Sequence, residues 1–166
     1  IISHLNETVG GVDIVTTTSP AIAHTVRKFF PDIELRASVN MKIGSVKGME
    51  YMAEYFDSYH VQRDYNRDLE HLHMLKDWAD KNGKKLVMLA NSGCMYNCAF
   101  HTYHDNLVAH EKSIAAKDNA YDFLGVCREY FGKENRTESY LRVTNFIRPE
   151  DLHLVSEYFD GIKLAT

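Results

Sequence analysis

The sequence predicts an α/β fold with a parallel sheet, of the TIM-barrel-like (β/α) type, as an incomplete barrel of about six strands. Short β-branched segments alternate with segments of helical periodicity, and alternation of this kind is typical of parallel sheets. Segment 84–90 is apolar on both faces, as parallel strands covered by helices are. Because a complete eight-unit barrel takes about 250 residues, the 166 residues would hold most of one.

Six segments are predicted as strands, and each is followed or preceded by turn or helix signals. These strands are 11–18, 33–39, 57–62, 84–90, 141–147 and 161–165. β-Branched and aromatic residues favour the strand assignment of most of them, 141–147 included. The chain shows no linker or repeat, so we expect a single domain over 1–166, as a fragment of a longer chain because it does not begin with Met.

The helices are predicted from their start and stop signals. Ser19 would cap the first helix with Pro20 at its first position, and Ser45 would open the second. Asn66 or Asp68 would cap a helix that runs to about Asn82, and Asp105 would cap another through Ala115. Two further helices are expected near 119–131 and from Pro149 to Phe159. The inward-facing residues expected for the first and third helices are Ile22, Val26, Leu69, Leu72, Leu75 and Ala79.

Composition and charge exclude some classes of protein. The net charge of −4 and the pI of about 6.1 argue against a nucleic-acid surface spread over the whole protein. No apolar run approaches the roughly 20 residues needed to span a bilayer, and no signal peptide is visible. Three cysteines cannot all pair internally. The sequence therefore predicts a reducing, cytoplasmic location and no membrane partner.

Polar residues stand at the predicted carboxyl ends of the strands, where ligands bind in parallel α/β folds. Among them we expect Arg63, Asn91, Arg148 and Lys163 to bind substrate. Three of these four are cations, and cations on one rim would suit a carboxylate or phosphate. Loops are commonly polar, so any one of these residues could instead be an ordinary surface residue.

The most distinctive segment is 91–106, which follows the apolar strand and contains Cys94, Cys98, His101 and His104. Together with Cys127, the first two cysteines could bind a four-iron four-sulfur cluster or zinc. The fourth ligand would be His101, His104 or a residue outside this chain. The alternative is that all three are buried free thiols. His104 and Asp105 could separately form a catalytic acid/base couple, or the histidines could only cap and pack.

The stretch Arg67-Asp68-Leu69-Glu70, then Lys84 to Leu89, then Ser92-Gly93-Cys94 resembles the collagenase-like peptidase family, the peptidase U32 group. In that family an Arg-Glu-Leu helix start precedes a strand that ends in a cysteine-bearing loop. The resemblance covers about 11–166, and its specific part is 63–98. It implies a (β/α) barrel, iron–sulfur clusters ligated by cysteine, and oxygen-independent or prephenate-dependent hydroxylation of RNA bases or quinone precursors.

Three functions follow as hypotheses. The first is an iron–sulfur barrel enzyme, or part of one, that hydroxylates an RNA base or small aromatic substrate, with Cys94, Cys98 and Cys127 as ligands. The second is a peptidase-like hydrolase, with or without zinc, in which His104 and Asp105 act on water. The third is a non-catalytic barrel with structural cysteines. Unpaired sheet edges could also drive homo-oligomer formation.

Overall fold

A computed structural model describes residues 1–114, 125–133 and 136–165, which contain one sheet of five parallel strands in the order β1-β2-β3-β4-β5. The strands are β1 Ile14–Thr17, β2 Glu34–Ala37, β3 Ser58–His60, β4 Lys85–Leu89 and β5 Gly161–Lys163. Every strand pairs with the next one along the chain. This confirms the predicted α/β class and the incomplete, barrel-like parallel sheet.

The described helices connect these strands or follow the cysteine loop. They are α1 Ile2–Val9, α2 Pro20–Phe29, α3 Val46–Tyr51, α4 Leu69–Lys81, α5 His101–Ile114, α6 Val126–Phe131 and α7 Tyr140–Val143. Short 3-10 helices span Val39–Met41, Arg63–Tyr65, Thr137–Ser139, Pro149–Leu154 and Ser156–Tyr158. No helix in the described ranges is long and apolar enough to cross a membrane.

Side-chain caps fix where three of the helices begin. The Ser19 hydroxyl accepts a hydrogen bond from the Ile22 amide, and the Ser45 hydroxyl accepts one from the Gly48 amide. The Asp68 carboxylate accepts from the His71 amide at 3.0 Å. Each cap satisfies an amide that the helix itself leaves without a partner. These three predicted N-caps are confirmed, with Asp68 rather than Asn66 at the start of α4.

The two faces of the sheet differ in polarity. The outer face packs against the helices and carries fully buried residues, among them Leu35, Ala37, Tyr59, Val61, Leu86 and Met88. The inner face carries a polar row at its amino-terminal half, formed by Glu34, Arg36, Ser58 and Lys85. Because side chains alternate along a strand, these two sets come from the same three strands.

Two predicted inward positions are wrong. Ile22 is 52% exposed and Leu69 is 44% exposed, whereas Ala23, Val26, Leu72, Leu75 and Ala79 are buried as a stripe. The buried face of α2 runs through Ala23 and Val26, and this leaves Ile22 on the flank of the helix. Leu69 is the first residue of α4 and lines a surface cavity beside Phe146 instead of the core.

The predicted strand 141–147 is also wrong. Residues Tyr140–Val143 form α7, and the segment after it pairs with the cysteine loop rather than with the sheet. The Asn145 amide donates to the Cys94 carbonyl at 2.8 Å, and the Ile147 amide donates to the Ala90 carbonyl at 2.9 Å. Contacts with residues about fifty positions away therefore decide the structure of this segment, because β-propensity is a weaker determinant than tertiary context.

Helix boundaries differ from the predictions at three further places. α5 begins at His101, so Asp105 lies inside the helix and does not cap it. The helix predicted near 119–131 is observed as α6, and its part before 125 lies outside the described residues. The helix predicted from Pro149 is two short 3-10 segments.

Candidate active site at the carboxyl ends of the strands

Four segments that follow the strands bring polar side chains together at one edge of the sheet. The 3-10 helix Val39–Met41 follows β2, the 3-10 helix Arg63–Tyr65 follows β3, and the cysteine loop and α5 follow β4. They contribute the residues that we call the Arg63 cluster, which are Asn40, Arg63, Cys94, His101 and Asp105. Parallel strands end at one edge, so their following segments meet there.

Arg63 is the centre of this cluster and is only 8% exposed. Its Nη1 donates to Cys94 Sγ at 3.3 Å, and its Nη2 donates to Asn40 Oδ1 at 3.3 Å and to Asp105 Oδ2 at 3.4 Å. A buried guanidinium needs a charged partner and further acceptors to offset its lost hydration. Asp105 supplies the charge, and the other two residues supply acceptors from separate elements.

His101 and Asp105 form the second part of the cluster. They stand four residues apart on α5 and therefore on one face of that helix, with His101 Nε2 3.3 Å from Asp105 Oδ2. His101 is 7% exposed, whereas the Asp105 side chain is 27% exposed. Burial, and then the positive charge of Arg63, lower the pKa of His101, although Asp105 opposes the change. The imidazole is therefore neutral near pH 7.

Asp64 organises the loop beside the cluster. Its Oδ1 accepts from the Asn97 amide at 2.8 Å and from Asn145 Nδ2 at 3.4 Å, and its Oδ2 accepts from Gln62 Nε2 at 2.9 Å. Burial alone would raise the pKa of Asp64, but these three hydrogen bonds lower it below its ordinary value. The ionised carboxylate thus binds the backbone of the cysteine loop at Asn97, whose φ is 50°.

The other predicted substrate-binding residues have separate surroundings. Asn91 Nδ2 donates to the Ala165 carbonyl at 2.8 Å, and Asn91 Oδ1 accepts from the Ala165 amide at 2.7 Å. Arg148 is exposed and makes a two-pronged pair with Asp151 at 2.7 and 2.8 Å. Lys163 lines a cavity on the inner face of the sheet. Of the four residues, the structure brings Arg63 alone into the cluster.

The cysteines predicted as metal ligands are all unbridged and partly buried. Within the described ranges, no three His, Cys, Asp or Glu side chains are grouped so that they could hold one metal ion. Cys94 Sγ instead accepts a hydrogen bond from a cation, Arg63. Cys94, Cys98 and Cys127 are thus not grouped as a ligand set within these ranges, and a metal centre on them stays a prediction.

The structure places Asp105 beside His101, whereas His104 is the residue predicted as its catalytic partner. The His104 ring stacks on Phe100, with ring centroids 5.8 Å apart. The sequence predicts His101 as a metal ligand or as a residue that caps and packs, and it predicts a helix start at Asp105. The spacing of four residues between His101 and Asp105 is the signal that would have found the pair, once the helix is extended to 101.

The helix start quoted for the family resemblance also has a structural role. Arg67 Nη1 donates to the Leu141 carbonyl at 2.6 Å, and its guanidinium lies 5.8 Å from the centre of the Tyr96 ring. Asp68 caps α4 in place of the glutamate of the Arg-Glu-Leu pattern. Arg67 therefore joins the start of α4 to α7 and to the cysteine loop.

The fold and the cluster define a barrel-type α/β protein whose candidate site lies where such enzymes bind their ligands. A solved structure, that of the U32 peptidase Mk0906, is similar to this chain with a TM-score of 0.62 and 14% sequence identity. The similarity covers 99% of this chain and 59% of that one, so the chain spans about three-fifths of its neighbour. It shows a shared fold. No family model and no curated protein matches the sequence.

Proposed function

We propose that this chain is part of a barrel enzyme of the peptidase U32 type that hydrolyses an amide bond, with His101 and Asp105 as its acid/base pair. The observation that carries the proposal is the position of a buried neutral histidine 3.3 Å from a partly exposed carboxylate at the carboxyl ends of the strands. The solved neighbour, named a peptidase, supports the reaction class by analogy of fold only.

The two residues would share the work of activating water. Asp105, the more exposed of the two, would orient the attacking water. The neutral His101 imidazole beside it would take up the proton and later return it to the leaving nitrogen. Arg63 is only 8% exposed, and it is a positioning residue that holds Asp105 and the Cys94 thiol in place.

The test compares two histidines of the same helix in an assay of peptide hydrolysis. The full-length protein is assayed against a library of fluorogenic peptides over pH 5 to 9, a range spanning the ordinary histidine pKa of about 6.5. His101→Gln should lower kcat by about 100-fold or more, since general acid/base catalysis contributes roughly that much. The wild-type rate should fall at acidic pH as His101 becomes protonated.

His104→Gln is the matched control and should retain most of the rate. If His104→Gln abolishes hydrolysis while His101→Gln does not, the pair predicted from the sequence, His104 and Asp105, is the correct one. If no peptide is cleaved by the wild-type protein, the hydrolase proposal is wrong.

A second candidate is the iron–sulfur enzyme that hydroxylates an RNA base or a small aromatic compound. The observation that favours it is the position of Cys94 and Cys98 in one loop, beside the cluster at the strand ends. A cluster would supply one-electron chemistry there. Anaerobic reconstitution of the full-length protein with iron and sulfide should then give absorbance near 400 nm, about where thiolate-ligated clusters absorb, and Cys98→Ser should abolish it. Stoichiometric zinc in a colourless protein would favour the zinc-dependent hydrolase instead.

The third hypothesis, a non-catalytic barrel, has its own signature. Structural cysteines would leave hydrolysis and metal content undetectable in the wild-type protein, and Cys94→Ser would then change only the free energy of unfolding. A cytoplasmic location and association through the sheet edges likewise stay predictions.

A further inference from the structure

The inner face of the sheet contains a cavity of about 390 Å³ that is separate from the Arg63 cluster. Five parallel strands line it, and its polar residues are Thr16 on β1, Arg36 on β2, His60 on β3 and Lys163 on β5. Ile14, Val87, Gly161 and Ile162 complete the wall. Its size suits a small molecule rather than a macromolecule, because ligand pockets begin at about 300 Å³. We call it the inner-face cavity.

The charges around the inner-face cavity are not balanced. Arg36 Nε donates a hydrogen bond to Ser58 Oγ at 3.0 Å, and Arg36 Nη2 donates one to Glu34 Oε1 at 2.6 Å. Within the described residues, Arg36 Nη1 has no hydrogen-bond partner. Glu34 is shared, since its other oxygen pairs with Lys85 at 2.8 Å. Lys163 has no ion-pair partner among the described residues. Among the residues that line the cavity, Arg36 and Lys163 are cations and none is a carboxylate, and this excess of positive charge favours an anion.

His60 adds a hydrogen-bond acceptor to this wall. The residue is 2% exposed, and its Nδ1 lies 3.1 Å from the Ala37 carbonyl. Because a carbonyl can only accept, Nδ1 carries the proton and Nε2 carries a lone pair. Nε2 is buried and has no partner within the described ranges. A buried polar atom without a partner is destabilising, so a ligand that supplies a donor would recover that cost.

Burial maintains this protonation state. Burial is the main cause that lowers the pKa of His60, and the charges of Lys163 and Arg36 lower it further. The hydrogen bond to the Ala37 carbonyl opposes this change. The imidazole therefore stays neutral near pH 7, and Nε2 remains an acceptor. A histidine that donated to the anion itself would need the opposite shift.

We propose that the inner-face cavity binds a small anion that carries its own O–H group. The negative charge of the anion would pair with Arg36 and Lys163, and its O–H would donate a hydrogen bond to His60 Nε2. Thr16 offers a hydroxyl on the opposite strand. Phosphate fits this description, because both forms present near pH 7 keep at least one O–H. Sulfate does not fit it, because it has the charge and the shape without the proton.

The experiment measures binding and not turnover, so its result is independent of the hydrolase proposal. The full-length protein, labelled with ¹⁵N in histidine, is titrated at pH 7 with inorganic phosphate and separately with sulfate at constant ionic strength. Phosphate should shift the His60 Nε2 resonance saturably. Sulfate should bind at least about 5-fold more weakly, since one neutral hydrogen bond contributes about 1 kcal/mol.

Two variants locate the site. Lys163→Met should weaken phosphate binding by about 10-fold, as expected for the loss of one charge-assisted hydrogen bond. Lys163 is exposed, so this change should leave the fold intact. Thr16→Val is a second, milder variant, with an expected weakening of about 3-fold on the same basis. Lys81→Met, which removes an exposed lysine at the end of α4, is the control and should bind like the wild type.

Three results would overturn the inference. They are an unmoved His60 resonance at saturating phosphate, equal affinity for sulfate and phosphate, and unchanged binding by Lys163→Met. The first result would mean that His60 does not contact the anion, and the second would mean that the anion needs no donor. The third would mean that phosphate does not bind in this cavity.

Discussion

The Arg63 cluster and the polar row of the inner face are built from the same kinds of group, yet they differ in closure. Each has an arginine paired with one carboxylate and with neutral acceptors. The Arg63 side chain is 9% exposed, whereas Arg36 is 21% and Lys85 is 56% exposed. The first set is enclosed by segments that follow the strands, and the second lies open on the sheet.

This difference in exposure indicates which of the two sets of side chains can exchange its hydrogen-bond partners for a ligand. In the Arg63 cluster, both guanidinium NH2 groups are engaged with protein atoms, so a ligand would have to replace them at the cost of burying a charge. In the inner row, Glu34 has several donors, and within the described residues Arg36 keeps one nitrogen without a partner. The buried Arg63 cluster therefore holds its own side chains in place, whereas the more exposed inner row can accept a ligand.

The largest effect should come from Arg63→Met. It leaves Asp105 without its cation in a mostly buried site, and breaking a buried pair costs about 3 kcal/mol or more of the free energy of unfolding. Urea denaturation measures the change. Arg148→Met, which breaks an exposed pair, is the control and should cost less than about 1 kcal/mol. Equal losses for both variants would mean that the cluster is not enclosed.

Arg36→Met should cost less, about 1 kcal/mol, which is the usual contribution of a single hydrogen bond. Lys85 still pairs with Glu34 at 2.8 Å in this variant, so no carboxylate loses its last cation. The same urea titration measures it. A loss as large as that of Arg63→Met would contradict the contrast drawn between the two regions.

The effect of Glu34→Gln should depend on pH. Burial would raise the pKa of Glu34, but hydrogen bonds from Lys85, Ser58 and Arg36 outweigh it and lower the pKa from 4.5 to about 2. A lowered folded-state pKa stabilises the protein above pH 4.5, and this stabilisation is lost as the pH falls toward 2. The gap in unfolding free energy between wild type and variant should therefore close across that window. Glu54→Gln, at an exposed position, should show no such window.

The smallest effect is a pKa change at the rim. Asp105→Asn removes the charge that raises the pKa of His101, so that pKa should fall further below its already lowered value. Histidine NMR titration measures it. Asp77→Asn is the matched control, because Asp77 stands four residues from His73 on α4 in an exposed pair at 3.9 Å. Asp77→Asn should leave the pKa of His101 as it is in the wild type, and a rise of the His101 pKa in Asp105→Asn would contradict the geometry.

The regular first part of the chain could be predicted because its signals are local. Ser19, Ser45 and Asp68 each mark a helix start that the structure confirms, and the apolar run 84–90 contains β4. Capping and periodicity depend on a few neighbouring residues, and distant contacts do not alter them here.

The part of the chain after β4 could not be predicted in the same way, because distant contacts decide it. Segment 141–147 has strand composition, but Arg67, Asn66 and the cysteine loop bind its backbone from elsewhere in the chain. The candidate site was predicted in part. The sequence predicts Arg63 and Asp105 as site residues, and the structure brings them together. The proximity of His101 to Asp105 depends on a helix that starts four residues before the predicted start, and the catalytic pairing of His104 with Asp105 stays a prediction.

Asn91 joins the end of the fifth strand to the start of the cysteine loop through both of its amide atoms. The Asn91 side chain pairs with the N–H and the C=O of Ala165, as a neighbouring strand would do, so it continues the hydrogen bonding of the sheet beyond β5. Any shift of β5, for example when a molecule enters between Lys163 and β1, would pull on the residue that begins the loop of Cys94. Asn91 is therefore the side chain at which the end of the sheet meets the start of the rim loop.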